Sequence, residues 1–248
     1  MKRTSLIIVS VLVLLSIALT ACQPASTKVR VATDATFPPF ETVDEATKEL
    51  TGFDVELMNA LAAKAGIEIE WVNIGFDPML AGLSQCQYDV AIAAITITED
   101  RKKDMLFSEP YINAGQIISV QKSNTEITGP ESLAGKKVGA QLGTTGAIEA
   151  QKIEGVELKT YDSYDLAFLD LANGQIDAVI ADYPTALGFI GQNSEKLTTV
   201  GEVFTDESYG IAVCNKNADL LKKINDGLAA IKADGTVQKL EMKWLAGQ

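Results

Sequence analysis

Two stretches of this chain repeat one another without a gap, and the repeat narrows the choice of folds more than any other feature. Leu83-Ser-Gln-Cys-Gln-Tyr-Asp-Val-Ala-Ile-Ala-Ala94 aligns on Leu171-Ala-Asn-Gly-Gln-Ile-Asp-Ala-Val-Ile-Ala-Asp182. Each copy runs from the end of an amphipathic stretch, through a polar turn, into a short apolar run of the kind that is buried on both faces in a parallel sheet. From Lys28 onward strand and helix signals alternate, which is the pattern of an α/β chain. The first unit has strands over 29–33, 67–71 and 88–95, with one helix ending at Gly66 and another opening at Asp77-Pro78 in the favoured cap-and-first-turn order. The second has strands over 138–142, 156–161 and 176–182 and helices over 144–153 and 163–173. An extended run over 111–121 joins these two βαβαβ units. The tail, a strand over 209–214 and helices over 219–233 and 235–245, is too short to begin a third unit and is expected to return to the first.

The N-terminus sets the compartment. Lys2 and Arg3 precede an apolar run over 6–19, too short for a membrane span and suited to a signal-peptide core. Leu19-Thr20-Ala21-Cys22 follows, which resembles the lipobox of bacterial lipoproteins. Residues 1–21 would then be the leader, Cys22 the lipidated first residue and 22–27 a polar tether; an ordinary cleavage site beside an incidental cysteine is the alternative. With 21 basic against 33 acidic side chains, a net charge of −12, the chain lacks the basic face that nucleic acid requires. It has no histidine, which removes the usual triads and most zinc sites, and no metal or cofactor is expected. The remaining cysteines, Cys86 and Cys214, match no metal spacing.

The strand over 88–95 empties into Thr96, Thr98 and Arg101. Ligands of open α/β sheets lie beyond the carboxyl ends of strands, and the guanidinium fork grips a carboxylate through two parallel hydrogen bonds. The competing account makes Thr98 a cap and Arg101 its decoration. Gly143-Thr144-Thr145 sits where a strand turns into a helix, so its N–H groups form an anion site, or Thr144 merely caps. Asp182 closes a very apolar strand, where an acid is costly unless a ligand ammonium pairs with it, or else it caps the helix entered at Pro184. Together these three positions specify both poles of a zwitterion. Asp34, Phe37 and Phe76 stand just past strand ends, where an acid and aromatic walls of a small-ligand cleft are expected, although either ring alone could belong to the core.

Taken together, Ala-Thr-Asp34-x-x-Phe37-Pro-Pro-Phe, Gly52-Phe-Asp-Val-Glu, Ile-Thr96-Ile-Thr-x-x-Arg101, Phe107-Ser-x-Pro-Tyr, Gly143-Thr-Thr, Asp177-Ala-Val-x-Ala-Asp182 and Lys243-Trp resemble the extracellular solute-binding proteins for polar amino acids that serve ABC importers. The resemblance spans the chain from Lys28 and implies the type II periplasmic-binding-protein fold. It implies that Arg101 clamps an α-carboxylate with the backbone of Thr96 and Thr145. The ammonium would go to Asp182, the Thr96 hydroxyl and the Ala94 carbonyl. Phe37 and Phe76 would sandwich the side chain, with Asp34 at its far end. It also implies that the strand after each crossover lies antiparallel to its neighbours, which would bring Cys86 and Cys214 together as a disulfide. Gln141 and Ala181 stand where glutamine-binding relatives have Lys and His, so Asp34 loses the cation that balances it there. A ligand bringing its own charge, arginine or lysine, is therefore favoured, with glutamine the alternative.

The expected architecture is thus lobe 1 over 28–111 and 209–248 and lobe 2 over 112–208, with hinges near 109–115 and 205–210. The expected role is that of an exported, membrane-anchored monomer with a free L-amino acid and an ABC permease as partners. An enzyme of the cyclohexadienyl dehydratase kind on the same fold is the alternative from another class. It would need a carboxylic acid kept protonated in a dry pocket, and an Asp facing an ammonium stays ionised instead.

Overall fold

The computed structural model describes residues 28–246; the leader, Cys22 and the tether lie outside them. The chain opens with β1 (Val29–Thr33), then three short strands, β2 (Thr36–Phe37), β3 (Glu41–Val43) and β4 (Leu50–Thr51), which form a small antiparallel sheet. Helix α1 (Phe53–Ala65), β5 (Ile69–Asn73), α2 (Phe76–Ser84), β6 (Val90–Ala91) and β7 (Met105–Phe107) complete the first unit. The second contains β9 (Gln116–Gln121), β10 (Lys137–Gln141), α3 (Thr145–Lys152), β11 (Glu157–Tyr161), α4 (Tyr164–Ala172), β12 (Ala178–Asp182), α5 (Tyr183–Gln192) and β13 (Leu197–Val200). Between the units lies β8 (Ile112–Ala114), and the return runs through β14 (Glu207–Tyr209) to β15 (Ala212–Cys214), α6 (Ala218–Ala233) and α7 (Thr236–Trp244).

Two five-stranded sheets result, in the orders β5-β1-β6-β15-β7 and β11-β10-β12-β9-β13. The repeat seen in the sequence is structural: β6 and β12 occupy the same central place in their own sheets. In each sheet the strand beyond them is antiparallel, β15 to β6 and β7, and β9 to β12 and β13. The chain passes between the two sheets through β8 and returns through β14, and these two passages pair antiparallel, Ile112 opposite Tyr209 and Ala114 opposite Glu207. The tail does return to the first unit. Leu220, Ile224, Leu228 and Ile231 fall on one face of α6, which packs on α1; each such side chain, once buried, stabilises the fold by roughly 1.5–3 kcal/mol.

The disulfide implied by the resemblance is present. Cys86 and Cys214 are bonded with their Cα atoms 5.1 Å apart and a sequence separation of 128. A closed loop of that length removes chain entropy from the unfolded ensemble worth on the order of 5 kcal/mol in the simplest treatment.

Three expectations are corrected. The strand expected over 88–95 pairs only at Val90–Ala91, because Ala94 leaves the extended region at φ 46 and sends its N–H away from the sheet, to Asp54. The strand expected over 209–214 is two strands. Gly210 separates them, packed so tightly on Ile97 that a Cβ there would sit 2.8 Å from its side chain. The helix expected to open at Asp77 starts one residue earlier, so Phe76 is its first residue and Asp77 lies in its first turn.

Candidate functional site

A narrow, almost filled space lies where the mouths of the two sheets meet. From the first unit it is lined by Phe37, Phe76, Ala94, Thr96 and Arg101; from the second by Thr144, Thr145 and Asp182. The matching ends of the sequence repeat, Ala94 and Asp182, thus face one another across it. Asp34 and Gln141 are not on its wall. They meet behind it, Gln141 Nε2 donating to Asp34 Oδ2 at 2.8 Å. A larger open groove, bordered by Tyr111, Tyr183 and Met242, lies elsewhere; the smaller space is the better candidate because charged and hydroxyl groups of opposite character converge on it.

The Thr98 cap that the sequence allowed is present, and Arg101 does more than decorate it. Its own N–H is capped by Thr98 Oγ1 at 3.1 Å, at the start of a single 3-10 turn. Its guanidinium turns inward and spans the two units, donating from Nη1 to the Thr96 carbonyl at 2.7 Å and from Nη2 to the Gly143 carbonyl at 2.9 Å. It also stands 5.5 Å over the Phe76 ring. Burial lowers its pKa, and the carboxylates of Asp182 and Glu207 oppose that shift; a guanidinium keeps its charge in proteins.

Thr144 is a true helix cap, accepting from the Ala147 N–H at 3.3 Å, while Thr145 is the first residue of α3. Gly143, at φ 81, makes the turn into that helix and lies against Asp77 of α2, so closely that a Cβ would stand 3.0 Å from the carboxylate. A side chain there would hold the two sheets apart.

Asp182 does not cap α5, although it occupies the capping position. Its Oδ1 instead accepts from Gln116 Nε2 at 3.1 Å inside the site. Burial pushes its pKa up to about 7, the neighbouring Glu207 carboxylate adds to the rise, and Arg101 opposes it. An acid in such surroundings gains by meeting a cation.

Behind the wall, Asp34 Oδ1 accepts from Thr36 Oγ1 at 2.9 Å and Oδ2 from the Phe76 N–H at 3.1 Å, besides Gln141. Burial raises its pKa, those three donors lower it and Asp165 raises it slightly. Every named donor is neutral. Phe37 packs edge-on against Tyr164 with ring centroids 5.5 Å apart, so the aromatic wall continues from one unit into the other.

Two side chains escaped the sequence reading. Gln116 Nε2 lies within hydrogen-bond distance of Thr145 Oγ1 at 3.1 Å, Asp182 Oδ1 at 3.1 Å and Glu207 Oε2 at 3.4 Å. Thr145 Oγ1 donates to Glu207 Oε2 at 2.8 Å and lies 3.3 Å from Thr96 Oγ1 of the opposite unit. A glutamine heading the otherwise apolar run Gln116-Ile-Ile was the available signal; nothing local marks Glu207, 91 residues further on.

The model of the bacterial extracellular solute-binding proteins, family 3, matches residues 29–247. The chain belongs to that family. Among proteins similar to this solute-binding protein, the L-cystine-binding protein TcyJ of Escherichia coli (strain K12) is 38% identical over 216 residues, covering 86% of this chain and 81% of the relative. The ABC transporter arginine-binding protein 1 of the same organism is 38% identical over 227 residues, covering 89% and 91%. A solved structure described as an ancestral arginine-binding protein bound to arginine superposes with a TM-score of 0.84 at 44% identity, covering 88% of this chain and 98% of that one. The two-lobed, type II periplasmic-binding-protein fold is therefore that of this family, and the family and these relatives are binding proteins by description.

Proposed function

We propose that this solute-binding protein captures a free L-amino acid with a cationic side chain, arginine or lysine, between its lobes and delivers it to the permease of an ABC importer. One observation carries the reading: the Arg101 guanidinium and the Asp182 carboxylate come from different lobes and face a single small cavity. An α-carboxylate pairs with the first and with the N-terminus of α3, and an α-ammonium with the second. Asp34 lies behind the cavity wall, and because its named partners are neutral and Asp165 adds negative charge there, it biases the site toward a basic side chain. The arginine-binding relatives agree in substrate class. Glutamine is the second reading, favoured by the neutral Gln141 amide beside Asp34.

In this reading β8 and β14 are the hinge between lobe 1 (28–111 and 209–248) and lobe 2 (112–208). Only the closed form makes contacts from both lobes, so ligand shifts the population toward it and the permease meets that form. Titration calorimetry of the mature protein against arginine, lysine, glutamine and cystine tests the assignment. Arginine or lysine is expected to bind at least tenfold more tightly than the others; a preference for glutamine or cystine overturns the charge argument, and no binding by any of the four overturns the amino-acid reading. Export and lipid anchoring at Cys22 complete the proposal. Cys22→Ser is expected to move the protein from membranes into the soluble fraction, and unchanged membrane association removes the anchor.

A further inference from the structure

Behind Ala94 lies a pair of carboxyl groups that the ligand-binding reading leaves unused. Asp54 and Glu41 are both fully buried. Asp54 Oδ2 accepts two hydrogen bonds, from the Ala94 N–H at 2.8 Å and from the Tyr111 hydroxyl at 2.7 Å. Asp54 Oδ1 and both Glu41 oxygens have no hydrogen-bond partner, and the two carboxyl groups lie close enough to shift one another's ionisation. Burial pushes both pKa values up, that of Glu41 well above its usual range and that of Asp54 to about 7, and the Asp54 charge adds to the rise at Glu41. The other titratable groups that face the pair are Asp34, Tyr111 and Tyr209, none of them a cation.

The backbone is shaped to make this pair. Gly52 sits at φ 130 with the Phe40 carbonyl oxygen only 2.1 Å from where a Cβ would be. That approach lets the first N–H groups of α1 bond the carbonyls of Pro39 and Phe40, Phe53 at 3.0 Å and Asp54 at 2.9 Å. Asp54 is thereby set beside Glu41, which follows Phe40 directly. Ala94 itself is held at φ 46, a left-handed conformation that costs an alanine free energy and persists only when neighbouring contacts enforce it. The Asp54 carboxylate supplies that contact.

We propose that Asp54, backed by Glu41, is a positioning residue for ligand recognition: it pins Ala94 in its left-handed turn so that the Ala94 carbonyl is presented to the ligand's α-ammonium, and through Tyr111 it ties that turn to the residue preceding the first lobe-to-lobe passage. The inference rests on the amino-acid reading above and adds to it a residue that does not touch the ligand. It makes recognition of the ammonium, not of the carboxylate, sensitive to Asp54.

The test compares L-arginine with des-amino arginine, the same molecule without its α-ammonium, by calorimetry on the wild type and on two variants. Asp54→Ala is expected to weaken arginine at least 30-fold and des-amino arginine less than threefold. Asp54→Asn, which keeps an oxygen toward the Ala94 N–H, is expected to recover at least tenfold of the arginine loss. Unchanged arginine affinity in Asp54→Ala, or equal losses for the two ligands, overturns the proposal while leaving the amino-acid reading in place; a wild type that binds no amino acid overturns both. If Asp54→Ala does not fold, hydrogen exchange of the wild type decides. Slow exchange of the Ala94 amide, slowed further by arginine than by des-amino arginine, supports the role, and an unprotected amide or equal slowing by the two overturns it.

Discussion

Arg101→Met is expected to abolish measurable amino-acid binding, with a loss of at least about 100-fold in affinity. Among the described residues the guanidinium is the only cation on the cavity wall, and it already spans the two sheet units through the Thr96 and Gly143 carbonyls. Removing it strips the α-carboxylate of its countercharge and leaves that carboxylate buried. Truncating one partner of a buried, hydrogen-bonded charge pair costs roughly 2–5 kcal/mol. Arg101→Lys separates charge from shape, because an ammonium restores the charge but cannot hold two carbonyls and a carboxylate through one planar fork. Its affinity should fall between wild type and Arg101→Met. Calorimetry on all three proteins checks this, and an Arg101→Met protein that binds as wild type does would remove the guanidinium from the mechanism.

Asp182→Asn should move affinity and stability in opposite directions. The ligand ammonium loses its ionised partner, so affinity for arginine falls by about 100-fold, on the scale of a broken buried charge pair. The ligand-free protein should gain stability at pH 8. In the folded state the pKa of Asp182 is about 7 against 3.8 ordinarily, so between those two values the folded protein holds a proton there that the unfolded chain has released. This contribution is fully present below about pH 4 and is lost as pH rises through about 7, by roughly 4 kcal/mol for a shift of that size. The asparagine escapes the loss and also relieves the repulsion from Glu207. Wild-type affinity should weaken as pH falls below about 7, with proton release on binding, because ammonium selects the ionised form of Asp182; the variant should show neither effect. Thermal melts at pH 5 and pH 8 and calorimetry in buffers of different ionisation enthalpy check both halves. A variant less stable than wild type at pH 8 would contradict the electrostatic account.

Much of this was legible in the sequence because the signals were local. The alternation of periods marked the strands and helices, and the gapless repeat set β6 and β12 at equivalent places in the two sheets, although β6 ends at Ala91, three residues short of Ala94, while β12 runs to Asp182. Arg101, Thr96, Thr144 and Thr145 each sit at a strand end or helix start that a few neighbouring residues announce. What escaped depends on distant parts of the chain. Glu207 reaches Thr145 only because β14 returns beside β8, and Gln116 matters only because an antiparallel strand sets it opposite Asp182. Glu41 carries no local mark, and its burial beside Asp54 follows from the close approach at Gly52, which composition does not reveal. The shortened β6 has the same origin: Ala94 reads as one more apolar strand residue until a carboxylate from α1 claims its N–H.

The two antiparallel passages between the sheets also limit how the molecule can deform. A ribbon of two bonded strands bends across its width more easily than it shears along its length, since shear would break the Ile112–Tyr209 and Ala114–Glu207 register. With this ribbon as the proposed hinge, relative travel of the halves would reduce to something near a single swing, growing with distance from the ribbon. Arg101 and Gly143, meeting across the cleft, act as a latch on a door with one axis, and their separation would serve as a one-number gauge of how far it stands ajar.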